Sequence, residues 1–364
     1  MKIAHVVDSM EIGGVETLVS QMCRLQRKQG HDSCILAIQV LGPLGEQMLA
    51  EGIPVHANLG PHLAASLRSF VRVFRQMHPN VVHLHNPGPT VYAAWSARIT
   101  GVSRILSTRH SLVAPPHRVM EEMKYAVAAT CCNWAAGVCD ATTDNLKRLH
   151  GVPASKIVRV YNGVDPIRKS AGENWPAKTG FTLAFVGRLA PVKNHSLLFH
   201  AFRTALAAMP NLRLWMIGDG SERGTLERMA ADLGIYSQTT FWGQQLDVAP
   251  FFSAADAFIM SSRLEGLPVS LLQAFSVGLP AIVTDVGGIA EVFDWGTPAW
   301  WFQRKIRRQW RKPFCTWHPM KQSASSSSKS LDTGFWKLPR PVTSTKSAKC
   351  FTSIGNTKNA SLRR

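Results

Sequence analysis

The chain has 364 residues, 45% of them hydrophobic, with 41 Lys and Arg against 23 Asp and Glu, a formal net charge of +18. That length holds two domains with a core each, and no run reaches the apolar length that a membrane-spanning helix needs. Such a charge ordinarily points to nucleic acid or an anionic surface. Here fifteen Lys and Arg against two Asp fall between Asp294 and Arg364, so +13 of the +18 belongs to the end of the chain and nucleic acid is set aside as a partner.

The first residues, Met1 to Asp8, lack the cationic start and cleavage site of a signal peptide. Seven cysteines at irregular spacing form no disulfide or metal pattern, so a reducing cytoplasm is the expected location. Ile3–Val7 reads as a strand, Gly13-Gly14 as a turn, and Val15, Leu18, Val19, Met22 and Leu25 as one helical face. Strands are expected at Cys34–Ile38, Val81–His85, Ile105–Thr108 and Ile157–Tyr161, and helices at Leu63–Met77 and Val91–Arg98. Residues 166–179 read as a linker, and the alternation then restarts. The second set of strands is Leu183–Val186, Leu212–Ile217, Thr239–Trp242, Ala257–Met260 and Ala281–Val283. Helices near His195–Met209, Ser221–Leu233, Val248–Ala254 and Pro268–Val277 separate them. Strand–helix alternation at this rhythm means doubly wound parallel sheets, one in residues 1–165 and one in 180–293, with a cleft between them. Beyond Phe293 the periodicity stops: six of eleven tryptophans, a serine run at 323–328 and scattered prolines read as a basic, disordered tail over 294–364.

Ser262 to Gln273 is a strand–loop–helix passage in which Pro268 suits a first helical position, aiming free N–H groups at whatever lies beyond the strand. With Glu265 able to accept hydrogen bonds from sugar hydroxyls, it fits a nucleotide-sugar pocket or, equally, an ordinary corner. Gly13-Gly14 allows close approach to the backbone, though a plain tight turn explains it as well. In Gly187-Arg188-Leu189-Ala190-Pro191-Val192-Lys193, Arg188 and Lys193 stand at a strand's carboxyl end, a placement that suits a diphosphate better than two solvated charges. His83 and His85 share a strand face as a metal pair would, but no third ligand is evident and no metal is expected. His110 reads as a cleft contact or a structural histidine. Asn162-Gly163-Val164-Asp165 reads as a turn, and Val286-Gly287-Gly288 offers amides at a helix start.

Together Gly13-Gly14-Val15-Glu16, His110, Asn162-Gly163-Val164-Asp165, Gly187-Arg188-Leu189 with Lys193, Glu265-Gly266-Leu267-Pro268 and Val286-Gly287-Gly288 resemble the retaining glycosyltransferases of family 4, also called group 1, over about residues 1–291. The resemblance implies a GT-B fold, α/β with two Rossmann-like doubly wound domains facing a cleft. It implies a sugar-nucleotide donor (a UDP- or GDP-sugar), a glycan or lipid-linked acceptor, and no metal or other cofactor. Arg188, Lys193, Glu265 and His110 match its catalytic positions. Gly13, Gly14, Gly266, Leu267, Gly287 and Gly288 match its donor site. Gln273 stands where the family has the second glutamate of Glu-x7-Glu, which holds the ribose. The family's last strand and helices are not recognisable after Phe293, so the second domain reads as incomplete. A shifted reading frame or hybrid gene end is the expectation there, and a natural basic tail the plainer alternative. An inactive product and a polyanion-binding protein acting through the tail are the rival readings. Peripheral contact with an anionic membrane is a further one, because Leu63–Met77 sets Arg68, Arg72 and Arg75 among apolar residues.

Overall fold

A computed structural model describes residues 1–60, 63–112, 119–148, 151–167, 176–293 and 300–302. Seven strands form the first sheet: β1 (Lys2–Val7), β2 (Asp32–Ala37), β3 (Val55–His56), β4 (Val81–His85), β5 (Arg104–Arg109), β6 (Trp134–Gly137) and β7 (Ile157–Arg159). They lie in the order β3-β2-β1-β4-β5-β6-β7, all parallel. The second sheet holds β8 (Thr182–Val186), β9 (Arg213–Ile217), β10 (Thr239–Gly243), β11 (Ala257–Met260), β12 (Ala281–Thr284) and β13 (Trp300–Phe302). Its order is β10-β9-β8-β11-β12-β13, again all parallel. Apolar runs become central strands because both sheet faces are covered by helices.

In each sheet the order reverses once, between β1 and β4 in the first and between β8 and β11 in the second. The chain leaves β8 into Gly187-Arg188 and leaves β11 into the loop carrying Glu265, so both segments open on the second crevice. Open α/β sheets bind ligands at such reversals, beyond the carboxyl ends of the strands. The two domains share apolar packing: Leu18, Val138, Cys139 and Val164 of the first join Leu267, Val269, Leu272 and Ile289 of the second in one cluster.

Several elements depart from expectation. The two-residue β3 and β6 were not legible, the latter because Trp-Ala-Ala-Gly carries little strand propensity and is held instead by β5 and β7 on either side. Pro268 is the N-cap rather than the first helical residue, with extended φ −66° and ψ 121°, and the helix runs Val269–Ser276. The chain also regains structure after Phe293. Trp300–Phe302 pairs with Ile282–Thr284 as the sheet's edge strand, so residues 294–364 are not uniformly disordered tail. The remainder of that segment lies outside the described residues. Among the described residues no helix is long and apolar enough to cross a membrane.

Candidate active site

The helix Gly14–Lys28 starts directly after β1 and the helix Val269–Ser276 directly after the β11 loop. Their first turns meet across the cleft: a methyl group added at Gly14 would sit 3.6 Å from Val269 Cβ. Two sets of free N–H groups and two positive dipole ends therefore converge. Gly13, the N-cap of the first helix, has no side chain to cap it. Its place is taken by Glu16, whose carboxylate folds back so closely that any Cβ at Gly13 would overlap it. The same spot lies 3.9 Å from Arg188 Nη2, which brings the guanidinium across from the second domain. Burial raises the Glu16 carboxyl above its ordinary value, and its own backbone N–H and Arg188 counter that in part.

Lys193 ends the short turn Pro191–Lys193, and Ser261 pins that turn by donating to the Lys193 carbonyl at 2.9 Å. The ammonium meets Glu265 Oε1 at 2.6 Å, with the two side chains only 20% and 12% exposed. Beyond Glu265 the chain runs tightly against the first domain. A side chain at Gly266 would overlap the carbonyl oxygen of His110. One at Gly287, where φ is +59°, would overlap the Glu265 carbonyl, and Gly288 donates to the Gly266 carbonyl at 3.0 Å. These glycines let two backbones touch. Gly266→Ala should therefore spread the lobes and lower kcat/KM by about 10²-fold. Gly224→Ala, on an open helix surface, should leave the rate unchanged in the same assay; equal rates in both would contradict the contact.

Of the residues singled out from sequence, Arg188, Lys193, Glu265, Gly13, Gly14, Gly266, Gly287, Gly288 and His110 thus form one connected set. Leu267 places its side chain in the apolar core and leaves its carbonyl to accept from Asn162 Nδ2 at 2.9 Å. Gln273 is buried about one turn into the helix Val269–Ser276.

The histidines hold the largest surprise. A third imidazole does stand beside His83 and His85: it is His5, on the neighbouring β1, and the ring nitrogens of the three lie within 4.8 Å of one another. Two of them, His5 and His85, also belong to a line of hydrogen bonds across the sheet. Gln26 Oε1 lies 2.9 Å from His5 Nε2, His5 Nδ1 lies 3.1 Å from His85 Nε2, and His85 Nδ1 lies 3.1 Å from His110 Nε2. His83 pairs with Thr108 at 2.7 Å. Burial holds His5 and His110 down to about 4 and His83 and His85 well below the ordinary value. All four are neutral at pH 7, so His110, its Nε2 taken by His85, adds no charge for a phosphate. Nothing in the spacing of His5, Gln26 and His110 announces this line.

Two further features escaped the sequence. Glu291 accepts from the Asp140 and Ala141 N–H groups at 2.7 and 3.1 Å, capping the helix Asp140–Lys147 from the other domain. On the first domain a cavity of about 340 Å³ opens at the ends of β1, β2 and β3, lined by Asp8, Gln39, Val40, Asn58 and Tyr92 among others. Burial raises the Asp8 carboxyl to about 6.

Comparison with known proteins gives two family matches: Glycosyltransferase Family 4 over residues 12–168 and Glycosyl transferases group 1 over residues 168–310. The second match runs past Phe293, where sequence reading ended the likeness. The lipopolysaccharide core biosynthesis glycosyltransferase LpsE of Rhizobium meliloti is 41% identical over 86 residues, about a quarter of each chain (24% and 25%). The Escherichia coli UDP-Gal:alpha-D-GlcNAc-diphosphoundecaprenol alpha-1,3-galactosyltransferase is 24% identical over 79% of this chain and 80% of its own. Among solved structures, Anabaena HepE in complex with UDP-glucose superposes with a TM-score of 0.67 at 18% identity, covering 80% of this chain and 82% of that one. That last likeness is one of fold.

Proposed function

The chain belongs to the family 4, group 1 glycosyltransferases of GT-B fold, and from that premise we propose that it moves a hexose-type sugar from a UDP- or GDP-sugar to a glycan or lipid-linked acceptor with retention of configuration. The observation that carries this reading is the Lys193–Glu265 pair, at 2.6 Å, in the cleft where two helix N-termini meet. A donor diphosphate there would lie against Arg188, Lys193 and the free N–H groups of both first turns. Glu265 would accept from the sugar's hydroxyls, and His110, neutral, would take one more.

As the bond between the anomeric carbon and the diphosphate oxygen breaks, charge grows on the leaving group. Fixed cations and N–H dipoles stabilise it without having to reorganise. The acceptor oxygen bonds to the same face of the carbon, and its proton passes to a donor phosphate oxygen, so no protein base is called for. This reading gives charge neutralisation to Arg188 and Lys193 and asks for no metal. The cavity beside Asp8 is the place for the acceptor. Relatives named for lipopolysaccharide synthesis and for a diphosphoundecaprenol acceptor support a role in cell-surface polysaccharide or glycolipid assembly, in the cytoplasm with peripheral contact at the membrane's inner face.

Calorimetry against UDP-, GDP- and ADP-linked hexoses tests the proposal: one family of donors should bind, and silence across the panel by folded protein would reject it. In the same titration Gln273→Glu should bind donor about 10-fold more tightly, because a carboxylate is a stronger acceptor for the ribose hydroxyls than an amide. Unchanged affinity would remove Gln273 from the ribose site.

A further inference from the structure

We propose that the outer face shared by the helices Leu63–Met77, Pro87–Ile99 and Val119–Ala129 docks on an anionic lipid bilayer. This gives a surface to the peripheral membrane contact in the function proposed above, and its test does not depend on sugar transfer.

The three helices lie side by side on one face of the first sheet. Phe70 and Phe74 of the first, Ala93, Ala94 and Ala97 of the second and Ala128 of the third share one core with Val82 and Leu84 of β4. A helix that covers a sheet ordinarily turns its large apolar side chains inward and its polar ones out. The second and third helices depart from this, although Tyr125 of the third is fully buried. Their sheet-facing positions are mostly alanine, including Ala126 and Ala129. Trp95 and Ile99 point outward from the second helix. Val119, Met120, Met123 and Val127 point outward from the third, each between 57% and 69% exposed. These six are nearly half of the fourteen large apolar side chains that the described residues leave exposed. They sit on adjacent helices, which spans about 20 Å at ordinary interaxial spacing. A concentration of exposed apolar side chains on adjacent helices marks an interaction surface.

The charge on the same face selects the partner. Arg68, Arg72 and Arg75 follow one another at i, i+4 and i+7 along the outer stripe of the first helix, with Arg98 and Lys124 on its neighbours. Glu121 is the sole exposed acid on these helices. Glu122 is already engaged, its carboxylate taking Arg109 Nη1 at 2.7 Å and so tying the third helix to β5. Five cations flanking Trp, Ile, Val and Met match an acyl boundary beneath anionic headgroups. A second copy of this chain on the same face would set those cations against one another. Helices in this alternation begin at the carboxyl ends of the strands, so Val119 and Met120 lie toward the cleft rim. A bilayer on this face would present a lipid-linked acceptor near the reacting groups.

The test is co-sedimentation of the full chain with phosphatidylcholine vesicles, with and without phosphatidylglycerol, for wild type, Met123→Asp/Val127→Asp and Arg68→Ala/Arg72→Ala/Arg75→Ala. All five positions are solvent-facing, and both variants keep the basic residues after 294. Wild type should sediment with the anionic vesicles, and each variant should lose about 10-fold or more in partitioning. Three results would overturn the proposal: no wild-type binding, variants that bind like wild type, or gel filtration showing a wild-type dimer that the variants dissolve. A chain that docks but transfers no sugar leaves this inference standing and removes the enzymatic one.

Discussion

Lys193→Ala is expected to lower kcat by about 10²- to 10³-fold, the loss seen when one preorganised charge-stabilising donor is taken from a transition state. The ammonium does two things at once. It would face the diphosphate on which charge grows, and it holds Glu265 at 2.6 Å, where the carboxylate would meet the sugar under the proposed function. Because the pair is largely buried, removing one partner also leaves a carboxylate without its counter-charge, which costs stability. Thermal unfolding of the variant must therefore accompany the rate. Arg188→Ala separates the two effects. Arg188 is exposed, so its loss should barely move the melting temperature while turnover falls by a similar factor. Near-normal turnover in either variant would take the diphosphate away from this cleft.

The second large effect is acid lability. An unfolded histidine takes up its proton near pH 6.5. His5 and His110 hold off until about 4, and His83 and His85 lower still, because burial disfavours the charged ring. Between pH 6.5 and about 4 the unfolded chain binds more protons than the folded one. Stability is thus full above the upper value and falls as pH drops, by about 1.4 kcal/mol per pH unit for each histidine. Asp8, raised to about 6, and Glu16, also raised, work the other way and offset part of that loss. Denaturant unfolding at a series of pH values from 7.5 to 5 should show a steep decline, and His83→Leu should flatten the slope by about one proton. A level profile would mean that the line of imidazoles is not closed to water.

The candidate site was legible to the extent that its parts are local. Gly187-Arg188, Lys193 and Glu265-Gly266 each follow a strand that can be read from an apolar run, and a strand's carboxyl end is where ligands gather in this kind of sheet. Their partners were not legible. His83 and His85 read as a pair lacking a third member, because His5 is 78 residues away and reaches them only through the pairing of β1 with β4. Asn162 read as a turn residue, yet its amide reaches the Leu267 carbonyl 105 positions on. Glu291 drew no reading of its own from the sequence, and it caps a helix in the opposite domain.

By itself the amino-acid sequence determined the alternation of strand and helix, the two-domain plan and the chemistry of the loops. Those depend on hydrophobic period, on glycine, and on which side chains carry charge. Only the tertiary structure decided which loops meet, which buried polar groups complete one another, and which way a helix faces. The last point has a plain cause. Periodicity identifies a helix's apolar stripe, but alanine is small enough to fill the side against a sheet. In Val119–Ala129 the bulky residues were therefore free to face outward, and packing settled a choice that hydrophobic pattern leaves open.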